Sequence, residues 1–187
     1  MGTAWFVTHP EVEIDPAVPV PDWGLSAEGR RRAGLLAGRP WVSGLVAVFS
    51  SAERKARETA AVLGLPVLVR AALGENDRSA TGYLAKAAFE ATADRFFAEP
   101  EASIRGWERA VDAQARILAA VAAALAEAPP GDLAIVAHGG VGALLRCHLA
   151  SVAITRAEDQ PPGGGGHVFG FDRATRRLLT PWRRIED

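Results

Sequence analysis

Two histidines of this 187-residue chain each close a short hydrophobic run. His9 ends Ala4-Trp5-Phe6-Val7-Thr8-His9, and His138 ends Leu133-Ala134-Ile135-Val136-Ala137-His138, with Gly139-Gly140-Val141-Gly142 behind it. An unperturbed imidazole has a pKa of about 6.5, so near neutral pH it serves as a nucleophile or, once protonated, as a cation. A pair of imidazoles suits chemistry on an anion. Runs this short, largely apolar on both faces and bounded by Pro or Gly, predict buried strands of a parallel sheet. The ligand crevice of an open α/β sheet lies at the carboxyl ends of its strands. Both histidines fall at such ends and are expected to face each other across one site, far apart though they are in sequence.

The positioning elements follow from local patterns. Residues 4–8 predict the first strand. Residues 10–25 hold Pro10, Pro16, Pro19 and Pro21 and predict a long irregular loop directly after His9. Ser26 is the expected N-cap of a helix over 27–37, with Gly38 as its stop. Residues 44–49 predict a second strand, Ser50-Ser51 the opening of a helix to Leu63, and Pro66 to Val69 a third strand. The apolar spacing over 85–98 and 104–127 is helical. Pro129-Pro130-Gly131 ends that stretch. The His138 strand follows, then a helix over 141–150, a flexible loop at 159–166 and an antiparallel pair of strands at 167–172 and 177–182. Strands alternating with helices predict an α/β fold, a three-layer sandwich with a mostly parallel central sheet flanked by helices. There is no internal repeat, and the length predicts a single domain over residues 1–187.

Four segments carry the chemistry: Thr8-His9-Pro10-Glu11, the run Ser50 to Ala60 (SSAERKARETA), Leu73-Gly74-Glu75-Asn76-Asp77-Arg78, and His138-Gly139-Gly140. In order and spacing, over nearly the whole chain, they resemble the histidine phosphatase superfamily, the phosphoglycerate-mutase-like proteins. The most specific segment is the second, with its serine pair, basic residue before alanine and Thr-Ala pair. The resemblance implies hydrolysis of a phosphomonoester through a phosphohistidine on His9, with His138 lining the same pocket and Glu75 protonating the leaving oxygen. It implies no metal and no cofactor. Thr8, Ser50, Lys55, Arg57, Arg78 and Gly139 are the expected substrate-binding residues. Phosphoryl transfer spreads negative charge over three oxygens, so cations and N–H donors are required around them, and helix N-termini after Ser50 and His138 can supply some. An acid at the leaving oxygen needs a raised pKa to hold its proton.

The sequence departs from that family at three positions. Thr8 stands where an arginine normally precedes the first histidine, Pro10 where a glycine follows it, and Lys55 where an arginine precedes the alanine of the second motif. Two bidentate forks are replaced by a hydroxyl and a point charge. Arg54, Arg57 and Arg78 are the candidates to restore charge. The departures keep open a second reading, a phosphate-ligand-binding or regulatory protein with a degenerate site; a phosphomutase is a third and weaker one. Asp77 and Glu11 rival Glu75 as the acid. His148 and His167 would complete a four-histidine metal site, but no close-spaced ligand pair supports one. Trp23 lies in the loop after His9, within reach of a substrate.

Composition narrows the classes further. A net charge of −1 with no basic run excludes an electrostatic footprint for nucleic acid. The alanine-rich stretch from Ile117 to Ala126 is too short to span a bilayer. With no basic leader and only Cys147 as a thiol, a cytoplasmic protein acting on a small phosphorylated molecule is expected. Its oligomeric state is left open.

Overall fold

The parallel pairing of β1 (Thr3–Thr8) with β4 (Asp132–Ala137) organises the molecule, for which a computed structural model describes residues 2–187. Thr8 lies opposite Ala137, so the residues that follow, His9 and His138, leave the sheet side by side. β2 (Leu45–Ser50) pairs parallel to β4 on its other side, and β3 (Val67–Val69) pairs parallel to β2. β5 (His167–Asp172) runs antiparallel to β1, and the two-residue β6 (Arg183–Arg184) antiparallel to β5. The six-stranded sheet thus has the order β3-β2-β4-β1-β5-β6 and is mostly parallel.

Period-two alternation sends the strand residues to two different cores. Ala4, Phe6, Phe49, Leu133, Ile135, Phe169 and Phe171 pack on one face against Ile117, Val121 and Leu125 of α4 (Ala110–Glu127) and Val141 and Leu145 of α5 (Gly139–Leu149). Val7, Val48, Ala134, Val136 and Val168 pack on the other face against Leu36 and against Ala56 and Ala60 of α2 (Arg54–Ala61). Leu36 follows α1 (Ala27–Gly34) in a 3₁₀ turn. This is the expected three-layer sandwich. A third cluster joins Phe96 and Phe97 of α3 (Lys86–Ala98) to Trp107 and the α4–α5 contact. No described helix is long and apolar enough to cross a membrane.

Several boundaries differ from expectation, each for a physical reason. Ser26 caps α1 as expected, accepting from the Gly29 N–H at 3.0 Å, but α1 tightens into the 3₁₀ turn after Gly34. Ser50 is the last residue of β2 rather than a helix start, and α2 begins after Glu53. Residues 104–109 are not α-helical: Ile104–Gly106 form a 3₁₀ turn in which Arg105 takes a φ of 54° and Gly106 a φ of 83°, which turns the chain so that Trp107 is buried. The expected strand at 177–182 forms only a bridge from Leu178 to Phe171. There the Leu179 and Thr180 N–H groups both donate to the Gly170 carbonyl, so the ladder slips, and Pro181 has no N–H with which to resume it.

The 163–166 loop is flexible by composition but well tied. Its four glycines all have positive φ. The Gly166 N–H donates to the His9 carbonyl at 2.9 Å, and the buried Arg32 guanidinium donates to Gly165 O at 2.9 Å and Gly163 O at 3.2 Å while pairing with Glu186. A side chain at Gly165, with φ at 69°, would meet the His9 carbonyl oxygen at 2.3 Å. Gly165→Ala is expected to cost more than about 1 kcal/mol from the left-handed backbone alone, with the clash added. Urea unfolding measures the loss, and an unchanged midpoint would show that the loop is not packed on His9.

Candidate active site

The site opens at the carboxyl ends of β1, β4 and β2. The ladder continues one residue beyond the strands, through His9 N–H to Ala137 O at 3.3 Å and Ser51 N–H to Val136 O at 3.0 Å. These bonds fix where both the first histidine and the serine pair leave the sheet. The His9 and His138 rings meet edge to face, with centroids 5.2 Å apart. His9 Nδ1 lies 2.9 Å from the Pro10 carbonyl. A carbonyl only accepts, so Nδ1 carries the proton and Nε2 carries the lone pair. Burial, reinforced by neighbouring His138, pushes the His9 pKa down to about 3. The ring is therefore neutral throughout the physiological range, in the tautomer that leaves Nε2 nucleophilic.

His138 is fully buried, and burial pushes its pKa down against the pull of Glu53 and Glu75. Its Nε2 lies 2.8 Å from Ser51 Oγ and 3.2 Å from Glu53 Oε1. The carboxylate only accepts, so Nε2 bears the proton, and Nδ1 is left buried without a partner among the described residues. Glu53 anchors this side of the pocket. Its Oε2 pairs with Lys55 Nζ at 2.5 Å and its Oε1 accepts the Glu75 N–H at 3.0 Å. Burial works to raise the Glu53 carboxyl, but His138, Lys55 and the Glu75 N–H together hold it at about 2. Lys55 is itself buried and donates to the Val20 carbonyl at 2.8 Å, which draws the loop after His9 onto the site.

Glu75 occupies the amino end of α5. Its oxygens accept the Gly140, Val141 and Asn76 N–H groups, each at 3.0 Å, and lie 3.2 Å from Arg78. Burial favours the neutral acid, but Arg78, His138 and these N–H groups prevail and keep the carboxyl below the usual carboxylate range. The raised pKa expected of a proton donor is thus absent from the free protein. Arg78 is fixed over Phe89 and Trp107, 4.9 Å from each ring centroid, and bonds Asn76. The glycine pair after His138 permits this crowding. A Cβ at Gly140 would stand 2.7 Å from Glu75 Oε1, and one at Gly139 would stand 2.4 Å from Gln160 Nε2.

Of the residues singled out from sequence, Thr8, His9, Lys55, Glu75, Arg78, His138 and Gly139 fall around this one pocket. Ser50 is buried beneath it, its hydroxyl donating to the Ser51 carbonyl at 2.9 Å, and the serine that touches His138 is Ser51. Arg57 does not point inward: it stands exposed on α2, because the inward positions of that helix are Lys55, Ala56, Thr59 and Ala60. Arg54 is also exposed and pairs with Glu58. The rival acids Asp77 and Glu11 are exposed, engaged with the Ser79 N–H and the Ser26 hydroxyl. Trp23 serves its own loop, its indole N–H shared between Asp15 O and Val18 O at 2.9 Å each. The four histidines do not form one cluster: His148 is exposed on α5, and His167 is buried against Trp182. Among the described residues no group of three or more His, Cys, Asp and Glu is placed to hold a metal ion.

Sequence reasoning missed Glu53, Ser51 and Gln160. Glu53 and Ser51 stand inside the second motif, and that membership is the signal that could have found them. Gln160 carried no signal beyond its place before the proline and glycine run.

The chain belongs to the histidine phosphatase superfamily (branch 1), whose family description matches residues 5–169. Solved structures with the same fold include a mycobacterial glucosyl-3-phosphoglycerate phosphatase in complex with inorganic phosphate, at 23% identity and a TM-score of 0.77 over 100% of both chains. Another is YhfR of Bacillus stearothermophilus, at 22% identity and a TM-score of 0.79 over 96% of this chain and 95% of that one. A third is TTHB049 from Thermus thermophilus, at 22% identity and a TM-score of 0.65 over 95% and 97%. No curated protein matches the chain.

Because His9 binds its proton less readily in the folded chain than in the unfolded one, the unfolded state takes up the extra proton below about pH 6.5. The stability that neutral His9 contributes is therefore complete above pH 6.5 and is lost as the pH falls towards 3, at about 1 kcal/mol per pH unit. His138 and His167, both held low chiefly by burial, act in the same direction. Denaturant melts are expected to show lower stability at pH 5.5 than at 7.5, with a shallower dependence in His9→Gln. Equal slopes for the two proteins would contradict a neutral, half-buried His9.

Proposed function

We propose that this protein hydrolyses the phosphomonoester of a small phosphorylated molecule through a phosphohistidine on His9, without a metal ion. The observation that carries the reading is the tautomer of His9: Nδ1–H held by the Pro10 carbonyl, and a neutral ring with its Nε2 lone pair free beside His138. Nε2 attacks phosphorus, and the bond from phosphorus to the ester oxygen breaks in line. Glu75 hands its proton to that oxygen. Water then attacks the phosphohistidine and returns a proton to Glu75, which releases phosphate and neutral His9.

Glu75 is ionised before substrate arrives, so its proton has to come with the substrate. A phosphomonoester has a second pKa of about 6 and enters partly as the monoanion. Beside a second anion, and with its N–H donors drawn off to the phosphoryl oxygens, the Glu75 carboxyl rises and accepts that proton. Charge developing on the transferring group is met by the amino end of α5, by Lys55 and Arg78, and by His138, whose protonated form an adjacent dianion favours.

A second reading, binding of a phosphorylated ligand without turnover, draws on a specific observation. The Lys55 charge is already compensated by Glu53 at 2.5 Å, and Glu75 already fills the N–H groups at the start of α5. Hydrolysis of an aryl phosphate in EDTA separates the two. Wild type is expected to turn over, and His9→Ala to lose about three orders of magnitude or more in kcat/KM. Acid-labile phosphate trapped on wild type is expected to be absent from His9→Ala. Since His9 stays neutral to about pH 3, kcat/KM is not expected to fall between pH 6.5 and 5.5. Binding of phosphate with neither turnover nor trapped phosphate would establish the second reading.

A further inference from the structure

Thr8 stands where a phosphate-binding arginine would be expected, and its hydroxyl is turned to another purpose. Thr8 Oγ1 is buried: it accepts the His167 N–H at 2.9 Å, and of the two acceptors near its hydrogen Gln160 Oε1 at 2.6 Å is far closer than the His167 carbonyl at 3.4 Å. With its lone pair engaged by His167, the hydroxyl has its hydrogen to give, and 2.6 Å is the length of an O–H···O bond rather than of N–H···O. The carboxamide of Gln160 is thereby fixed with its oxygen on Thr8 and its NH₂ directed away. That nitrogen lies against Gly139, so close that a Cβ there would meet it at 2.4 Å, and no protein acceptor takes its hydrogens among the described residues.

Gln160 therefore spans the two strand ends that carry the histidines, from the residue before His9 to the residue after His138. The segment that presents it is braced. The Trp182 indole donates to the Glu158 carbonyl at 2.9 Å, Arg146 pairs with the Glu158 carboxylate at 3.0 Å, and the Gln160 N–H donates to Asp159 Oδ1 at 2.8 Å. A neutral side chain held this firmly, with an unspent pair of N–H donors at the start of α5, is placed as an anion ligand.

Resting on the phosphatase reading, we propose that Gln160 is a phosphate-binding residue of this site, its amide oriented by Thr8 so that Nε2 donates to a phosphoryl oxygen. Thr8 and Gln160 together replace the missing guanidinium: one chooses the orientation, the other supplies the donor. The exchange substitutes a neutral donor for a charge, which fits a pocket whose remaining cations are already paired with carboxylates.

Gln160→Glu tests the assignment, because the carboxylate keeps the acceptor for Thr8 and the shape of the side chain but replaces the donor by an anion. Titration calorimetry with inorganic phosphate at pH 7.5 is expected to show binding weakened about a hundredfold in Gln160→Glu, by like-charge juxtaposition. Gln160→Leu should weaken it about tenfold, by loss of one donor to a charged acceptor. Thr8→Ser should bind as wild type, since it keeps the orienting hydroxyl. Melting temperatures of all variants, measured alongside, identify any loss caused by unfolding. A folded Gln160→Glu that binds phosphate as tightly as wild type overturns the assignment and leaves the phosphatase reading standing. Wild type that binds no phosphate overturns both.

Discussion

The register between β1 and β4 is the constraint on which the rest of the site depends. Setting Thr8 against Ala137 brings two imidazoles from distant parts of the chain to a centroid distance of 5.2 Å. Because side chains alternate along a strand, a shift of one residue would exchange the two faces of the sheet and move every core residue of β1 into the wrong layer. The hydrophobic pattern that stabilises the fold therefore also sets the spacing of the histidines. The partial burial of His9 at the strand ends, with His138 beside it, disfavours its charged form and holds the ring neutral. Packing, geometry and protonation state share one origin.

Electrostatics within the pocket are arranged as exchanges rather than as a simple positive well. Lys55 answers to Glu53, Arg78 to Glu75, and the α5 N–H groups to Glu75 again. On the proposed phosphatase reading, a phosphoryl group enters by taking over donors that a carboxylate already holds. Lys55 is buried with its charge compensated by Glu53, and Arg78 is compensated by Glu75, so little of this charge stands unpaired. On the same reading, the protonation of Glu75 depends on whether an anion is bound.

Much of this is legible in the chain and some is not, for reasons that are physical. The α/β class, the two histidine-bearing strands and the Ser26 cap follow from apolar runs and local capping chemistry, which depend on near neighbours. The break at residues 104–109 and the slipped ladder after β5 do not, because a left-handed Arg105 and a doubly accepting Gly170 carbonyl are settled by tertiary packing. In the site, His9, His138 and Glu75 come from ordered motifs. Arg57 is misjudged from sequence because a helix shows alternating basic residues without showing which way they face. Gln160 is invisible there because its place depends on a hydroxyl 152 positions away.

The ties around Arg32 have a consequence for how the molecule is made. Arg32 reaches Glu186, the glycine loop it gathers donates to the His9 carbonyl, and the Ile185 N–H returns to the Gly166 carbonyl at 3.0 Å. His9 thus leaves the ribosome long before the residues that support its backbone. During vectorial synthesis the rim of the pocket has no counterpart to close against until Glu186 has been added. A nascent fragment can pair its parallel strands and still lack the ties that fix the backbone at His9.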